Sequence, residues 1–319
     1  MVTVCVTTYN SSKYVVETLE SVKQQTYQDI SLVISDDCST DETITICEQW
    51  LANNKSRFIK TNIITVPKNT GVSANCNRCI KASETDWIKF IAGDDILLPN
   101  CIEENINFAA LNKDASIIFS QVLVYHDEFS TNNYVAAVPV HYPMNLMNEL
   151  FTTEEQYKLL LLSDRINYTP SYFFRKKALV DIGGYDEENK LVEDYPMWLR
   201  LTKAGTRLYY FHKPTVGYRR HSSALNNNAA AGLFKPLLLK SLPLKKKYVF
   251  PYLPWDIAGS EKHIIWMSKL FQVTGLNKQT ALNSRLYTIA TIYLNPFRYI
   301  IYFKKKILRL GTDNIFYTN

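Results

Sequence analysis

Apolar residues recur along this chain in two alternating rhythms. Positions 2–8 (VTVCVTT) form a short β-branched run suited to a buried strand. The next stretch, SSKYVVETLESVKQQ, returns Val15, Leu19 and Val22 at helical spacing, with Ser11 or Ser12 placed to cap. The pattern then repeats. ISLVISDD (30–37) predicts a second strand, and STDETITICEQWLAN a second helix, capped by Ser39 or Thr40 with Asp41 and Glu42 in its first turn. NIITVP (62–67) predicts a third strand and GVSANCNRCIKAS a third helix. DWIKFIAG (86–93) predicts a fourth strand, Pro99 opens a further helix, and ASIIFSQVLVY (115–125) predicts a fifth strand.

Strand–helix alternation of this kind predicts an α/β fold: a mostly parallel sheet with helices on both faces. Such sheets bind ligands beyond the carboxyl ends of their strands. That rule gathers Tyr9 and Asn10, Asp36 and Asp37, Asn69 and Gly71, and Asp94 and Asp95 at one edge. The stretch FIAGDDILLP (90–99) sets two carboxylates side by side where an apolar run stops at a glycine. Like charges repel, and desolvating them is costly without a cation or strong donors nearby. No GxGxxG follows the first strand and no GxxxxGK[ST] occurs, so a glycine-rich phosphate loop is excluded. A phosphate-bearing ligand here would need a metal ion, and Asp95 with Asp94 offers hard oxygen donors suited to Mg²⁺ or Mn²⁺.

Charge divides the chain. Residues 1–234 carry 22 basic and 27 acidic side chains, whereas 235–319 carry 14 and 3, so the overall +6 belongs to the tail. Its basic clusters, LKKKY and FKKKILR, alternate with aromatic and aliphatic residues. The quietest run, 286–297, is too short and interrupted to span a bilayer, and lying on an anionic membrane surface suits the segment better. No nucleic-acid recognition motif accompanies the charge. Met1 leads straight into a strand pattern, and six scattered cysteines suggest reduced thiols in a cytosolic protein. Cys76 and Cys79 form a CxxC without the second pair that zinc requires.

Taken in order, TTYNSSKYVVETLESVKQQTY, ISDDCSTDET, NTGVSANCNRCI, FIAGDDILLP, DIGGYDEE and LVEDYPMWLRL resemble the family 2 glycosyltransferases, inverting enzymes of the Rossmann-like GT-A fold. The resemblance covers roughly 2–221. It implies a catalytic domain over 1–234; the last 85 residues fall outside it, and their composition reads as a basic, amphipathic, mainly helical extension over 235–319. The resemblance also implies the site. Thr7 and Tyr9 would line the base pocket, Asp37 would accept from a uracil N–H, and Asp36 would lie towards the ribose. Asn69, Gly71 and Asn77 would line the nucleotide side, Asp94 would reach ribose or donor sugar, and Asp95 would ligate the metal. His221 would approach the diphosphate and metal, with Arg219 or Arg220 beside it. Asp194 would be the catalytic base. Glu193, Gly184, Tyr185 and Trp198 would form the acceptor side, although Trp198 also suits a core.

The implied reaction is a single metal-assisted displacement. A carboxylate removes the acceptor proton on one face while a divalent ion stabilises the leaving diphosphate on the other. The implied setting is surface-polysaccharide synthesis, O-antigen or capsule, on a lipid-linked saccharide at the inner face of the cell membrane. A soluble protein or glycan acceptor is the alternative. A sugar nucleotidyltransferase would need a basic, glycine-rich loop that TTYNSSKY lacks, and a non-catalytic binding module would be expected to lose Asp95 or Asp194. QxxRW is absent, which argues for one sugar per encounter rather than polymerisation.

Overall fold

The computed structural model describes residues 1–143, 146–188, 193–221, 232–306 and 314–317. The chain divides into two units, 1–156 with 165–222, and 157–164 with 223–319. The change in charge expected at 234 falls within the second of these, and the short stretch 157–164 joins that unit from far upstream in the sequence.

The first unit is built on strands β1 (Val2–Thr8), β2 (Ile30–Asp36), β3 (Thr61–Ile64), β4 (Trp87–Ala92), β5 (Ile96–Leu97), β6 (Ile117–His126), β7 (Tyr134–Val138), β8 (Phe173–Arg175) and β9 (Leu208–Arg220). Helices α1 (Val15–Lys23), α2 (Thr43–Asn54), α3 (Val72–Ala82), α4 (Cys101–Leu111), α6 (Lys176–Asp181) and α7 (Asp194–Lys203) intervene, while α5 (Thr153–Leu162) begins in this unit and continues into the 157–164 stretch of the other. One sheet runs β3-β2-β1-β4-β8-β6-β9-β5, with β7 beside β6. From β3 to β4 it is parallel, as the alternation predicts. Beyond β4 it is mixed, because β8 runs antiparallel to both β4 and β6 while β6 and β9 run parallel.

Strands β1 and β2 are buried at nearly every position, which explains why they read as continuous apolar runs. Helix α1 turns Val15, Leu19 and Val22 inward at the predicted spacing. In β3 the strand ends at Ile64, short of the predicted Pro67, a residue that cannot donate to the ladder. The register sets Thr8 beside Asp36 and Thr7 beside Ala92, so β1, β2 and β4 end together. This common edge carries the site.

Helix starts differ from expectation. No side chain caps α1 at Tyr14 or α2 at Glu42. Instead the Asp41 carboxylate takes the amides of Thr43 (3.0 Å) and Ser12 (3.1 Å), linking the two helix starts across the edge. Burial raises the pKa of Asp41, but hydrogen bonds from Thr43 and Ser12 outweigh it and hold this carboxyl below its usual range.

The second unit is helical, as the tail composition predicts. Its described helices are α8 (Leu237–Lys240), α9 (Leu242–Tyr248), α10 (Trp255–Val273), α11 (Ala281–Thr288) and α12 (Pro296–Lys306), with a π-helical turn Ile289–Tyr293 between the last two. Among the described residues no helix is long and apolar enough to cross a membrane.

Candidate active site at the strand ends

Gly93 ends the apolar run because nothing larger fits. A Cβ there would lie 2.9 Å from Thr8 Cγ2 and 3.1 Å from Ser11 Oγ. Its amide donates to the Thr7 carbonyl at 2.9 Å, fastening the turn to β1. The two carboxylates that follow then part company. Asp94 is half-buried, and its Oδ2 meets His221 Nε2, just past β9, at 3.0 Å. Asp95 is 3% exposed, and its Oδ1 accepts the backbone amide of Arg219 at 2.8 Å. Burial, then the charge of Asp94, pushes the Asp95 carboxyl well up, against the opposing pull of Arg219. Asp95, expected to ligate the metal, thus fixes the turn from within, whereas Asp94 is the carboxylate presented beside His221.

Arg219 is the hub of this turn. Its side chain is 2% exposed, so it is not an open diphosphate arm. Nε donates to the Asp94 carbonyl at 2.8 Å, NH1 to the Asp127 carbonyl, and NH2 to Glu17 Oε2 at 2.5 Å. The guanidinium lies 4.4 Å from the Tyr14 ring centroid and 4.2 Å from that of Phe129. Tyr14 also packs against His221, with ring centroids 4.9 Å apart. Charge, two carbonyl acceptors and two ring faces are thus satisfied at once, which a buried guanidinium requires.

At the β2 end, both acids are already engaged. Asp36 takes Thr8 Oγ1 at 2.8 Å, the Ser39 amide at 2.8 Å and Ser39 Oγ at 2.6 Å, and is buried under the edge. Asp37 accepts from Thr70 N and Oγ1, from Gly71 N at 2.7 Å, and from Arg78 at 2.8 Å. Burial raises the pKa of Asp37, yet the bonds from Thr70, Arg78 and Gly71 prevail and keep it below the usual carboxylate range. A base N–H reaching Asp37 would share an already occupied carboxylate. Asn69 accepts the Gly71 amide at 3.2 Å, and Gly71 adopts φ 93° as α3 begins. Tyr9, by contrast, is 50% exposed and keeps a ring face available for stacking. Thr7 lies half-buried in β1 between Ser35 and Ala92.

The Asn77 side-chain amide donates to the Tyr185 carbonyl (3.0 Å) and Glu187 (2.8 Å) and accepts the Tyr185 amide (2.8 Å). It clamps α3 to the 183–187 turn. Gly183 and Gly184 hold φ of 76° and 72° there, and a Cβ on Gly184 would meet Asn77 Oδ1 at 2.4 Å. Arg200, from α7, donates to the Gly184 carbonyl at 2.7 Å.

Asp194 is the first residue of α7, a position where the free helix amides favour negative charge. Its charge is felt by Cys76, Tyr172 and Tyr185, all pushed up first by their own burial. The two tyrosine hydroxyls are 3.2 Å apart. Both rings also pack on Phe90 of β4, four positions before Asp94, at 5.8 and 6.1 Å. One aromatic wall therefore links the start of α7 to the β4 edge. Burial raises the carboxyl of the neighbouring Glu193. Trp198 is 0% exposed and packs on Phe119, Tyr172 and Phe174, so it is core and has no face for an acceptor sugar. Tyr185 is likewise buried, forming the wall's interior. Residues 222–226 of YRRHSSALN lie outside the described residues. Cys76 and Cys79 are free, buried thiols.

Sequence reasoning missed the Arg219 hub, the Arg78–Asp37 pair and the Asn77 clamp. Each joins residues far apart in the chain, and only the side-by-side glycines at 183–184 gave a local sign of the last.

With this geometry in place, the chain matches the family described as glycosyl transferase family 2 over residues 3–183, more than half its length. The chain belongs to that family. This family 2 glycosyltransferase is 26% identical over 249 residues to an uncharacterized glycosyltransferase, RT0329, of Rickettsia typhi, covering 77% of this chain and 72% of the relative. It is 28% identical over 236 residues to the dTDP-rhamnosyl transferase RfbG of Shigella flexneri, covering 71% and 74%. Its fold resembles that of S. aureus TarS 1-349 solved with UDP-GlcNAc, at TM-score 0.57 and 18% identity, over 93% of this chain and 82% of the other. Against a longer TarS chain the match spans 48% of that chain, about half its length. The α/β, GT-A-like fold and the helical carboxyl-terminal region agree with the sequence expectation.

Proposed function

We propose that this glycosyltransferase moves one sugar, with inversion, from a pyrimidine nucleoside diphosphate sugar, a UDP-sugar foremost, to a saccharide hydroxyl. The observation that carries the reading is the Asp94–His221 pair, 3.0 Å apart at the end of β4, on the same edge as the Asp194 wall. The presence of UDP-GlcNAc in a TarS structure and the dTDP-rhamnosyl name of RfbG support the donor class, since uracil and thymine share the same ring N–H. Tyr9 would stack on that base.

Among the described residues no three His, Cys, Asp or Glu side chains form a metal cluster. A carboxylate and an imidazole nevertheless suit a divalent ion such as Mn²⁺ or Mg²⁺. Asp94 and His221 would hold it. When bound, Mn²⁺ or Mg²⁺ there supplies Lewis-acid neutralisation of the charge growing on the leaving diphosphate. Asp194 takes the proton of the acceptor hydroxyl as its oxygen attacks the anomeric carbon. The anomeric C–O bond breaks and its electron pair departs with the nucleoside diphosphate. Arg219 and Asp95 keep the Asp94 turn in register, and the Asn77 clamp keeps the 183–187 turn against Asp194. The acceptor we assign is a lipid-linked saccharide met at the inner membrane face, in O-antigen or capsule assembly. The positive charge of the helical unit supports it.

Calorimetry with UDP, GDP, CMP and dTDP, with and without Mn²⁺, tests the donor side. Mn²⁺-dependent UDP binding should fall by a factor of ~10² in Asp94→Ala, given that even outer partners of metal ligands are worth ~10–100-fold. Undiminished affinity would place the ion elsewhere. Asp194→Asn should bind UDP normally but release UDP from donor sugar ~10² more slowly, as loss of a general base requires. Release within a few-fold of wild type would remove Asp194 from that role.

A further inference from the structure

The second unit holds a groove of about 490 Å³ that the transfer chemistry does not use. Its floor is apolar, made by Leu242, Phe250 and Ile265, and three lysines, Lys246, Lys262 and Lys269, stand around it. Lys262, Trp266 and Lys269 follow one another on α10 at spacings of four and three, so they share one face. Trp266 is 60% exposed between them. Lys262 Nζ lies 5.2 Å from the Phe250 ring centroid. The two described acids of this stretch are already matched, Asp256 by Lys304 at 2.9 Å and Glu261 by Lys245 at 2.7 Å. Among the described residues the three groove lysines make no ion pair.

We infer that this groove is a headgroup site for an anionic phospholipid, the point at which the helical unit grips a bilayer surface. This deepens, and rests on, the reading of a membrane-borne acceptor. Three uncompensated ammonium groups suit a phosphodiester. The apolar floor suits the first methylenes below it. An exposed indole flanked by lysines is the residue arrangement of a membrane–water interface. A groove of this size matches a headgroup rather than a whole lipid. The same unit also exposes Leu282, Leu286, Ile289 and Tyr293 at spacings of four, three and four along α11 and the π-helical turn. That is an apolar stripe where a fully solvated helix would carry charge.

The test is sedimentation of the full chain with phosphatidylcholine vesicles, alone and with phosphatidylglycerol added, while following tryptophan emission. Binding should require the anionic lipid. It should fall by about two orders of magnitude in Lys246→Ala/Lys262→Ala/Lys269→Ala, at about fivefold per lysine. A blue shift of emission on vesicle addition should disappear in Trp266→Phe. Equal binding to both vesicle types, or an unaffected triple variant, would overturn the inference. So would displacement by millimolar inorganic phosphate, which assigns the groove to a soluble anion, or a dimer dissolved by Trp266→Ala, which assigns the face to a second copy. UDP calorimetry on the same proteins reports folding and keeps the two readings apart. Vesicle binding without UDP binding refutes the donor reading alone; UDP binding without vesicle binding refutes this one alone.

Discussion

Replacing Gly184 by alanine should cost about 3 kcal/mol, most of it through Asn77. At φ 72° an L side chain is strained, worth about 1 kcal/mol. The new Cβ would lie 2.4 Å from Asn77 Oδ1 and 3.2 Å from its Cγ, so the amide must leave. It gives up its bonds to the Tyr185 amide and carbonyl, at 2.8 and 3.0 Å, for about 1 kcal/mol each, while its exposed bond to Glu187 is replaced by water at little cost. Asn77→Ala alone loses the same bonds and should cost about 2 kcal/mol. In the double variant those bonds are lost only once, so Gly184→Ala adds only its backbone strain of about 1 kcal/mol to the Asn77→Ala background. The cycle should therefore show a coupling of about 2 kcal/mol, read from urea unfolding of the four proteins with a common slope. Donor-sugar cleavage should fall alongside, because the turn they hold lies against the start of α7. Additivity within about 0.5 kcal/mol would refute the clamp.

Arg219→Met should destabilise by about 2–4 kcal/mol by stranding the Asp94 and Asp127 carbonyls, with little from the half-exposed Glu17; a denaturant shift under about 1 kcal/mol would deny it the role of hub. Lys89, fully buried on β4 and donating to the Pro170 (2.6 Å) and Tyr172 (3.1 Å) carbonyls, is lowered by burial to about 8. Its folded pKa lies below its unfolded one, so the unfolded chain binds more protons between pH 8 and 10.5 and stability should rise with pH across that window. The stability difference between wild type and Lys89→Met should move by about 3 kcal/mol over it. A difference that stays flat would mean the ammonium is not held by its burial.

What the sequence determined by itself is whatever local periodicity and motif order encode. Strand–helix alternation predicts the parallel half of the sheet, because a strand buried on both faces must be apolar throughout and a crossover helix must be apolar on one side. The same rule brought Tyr9, Asp37, Asn69 and Asp94 to one edge before any coordinates. The composition of the tail predicts the helical carboxyl-terminal region. Local pattern does not say which of two adjacent side chains turns inward. Asp94 and Asp95 are equivalent on paper, and the choice is made by the Arg219 amide, 124 positions further on, which draws Asp95 into the interior and leaves Asp94 to His221. Trp198 and Asn77 show the same limit. Each has the chemistry of a binding residue, but a packed aromatic core claims one and the backbone of a distant turn claims the other. The free energy of desolvating a polar or aromatic group depends on neighbours that only the folded chain supplies, so burial, and with it function, is decided in three dimensions.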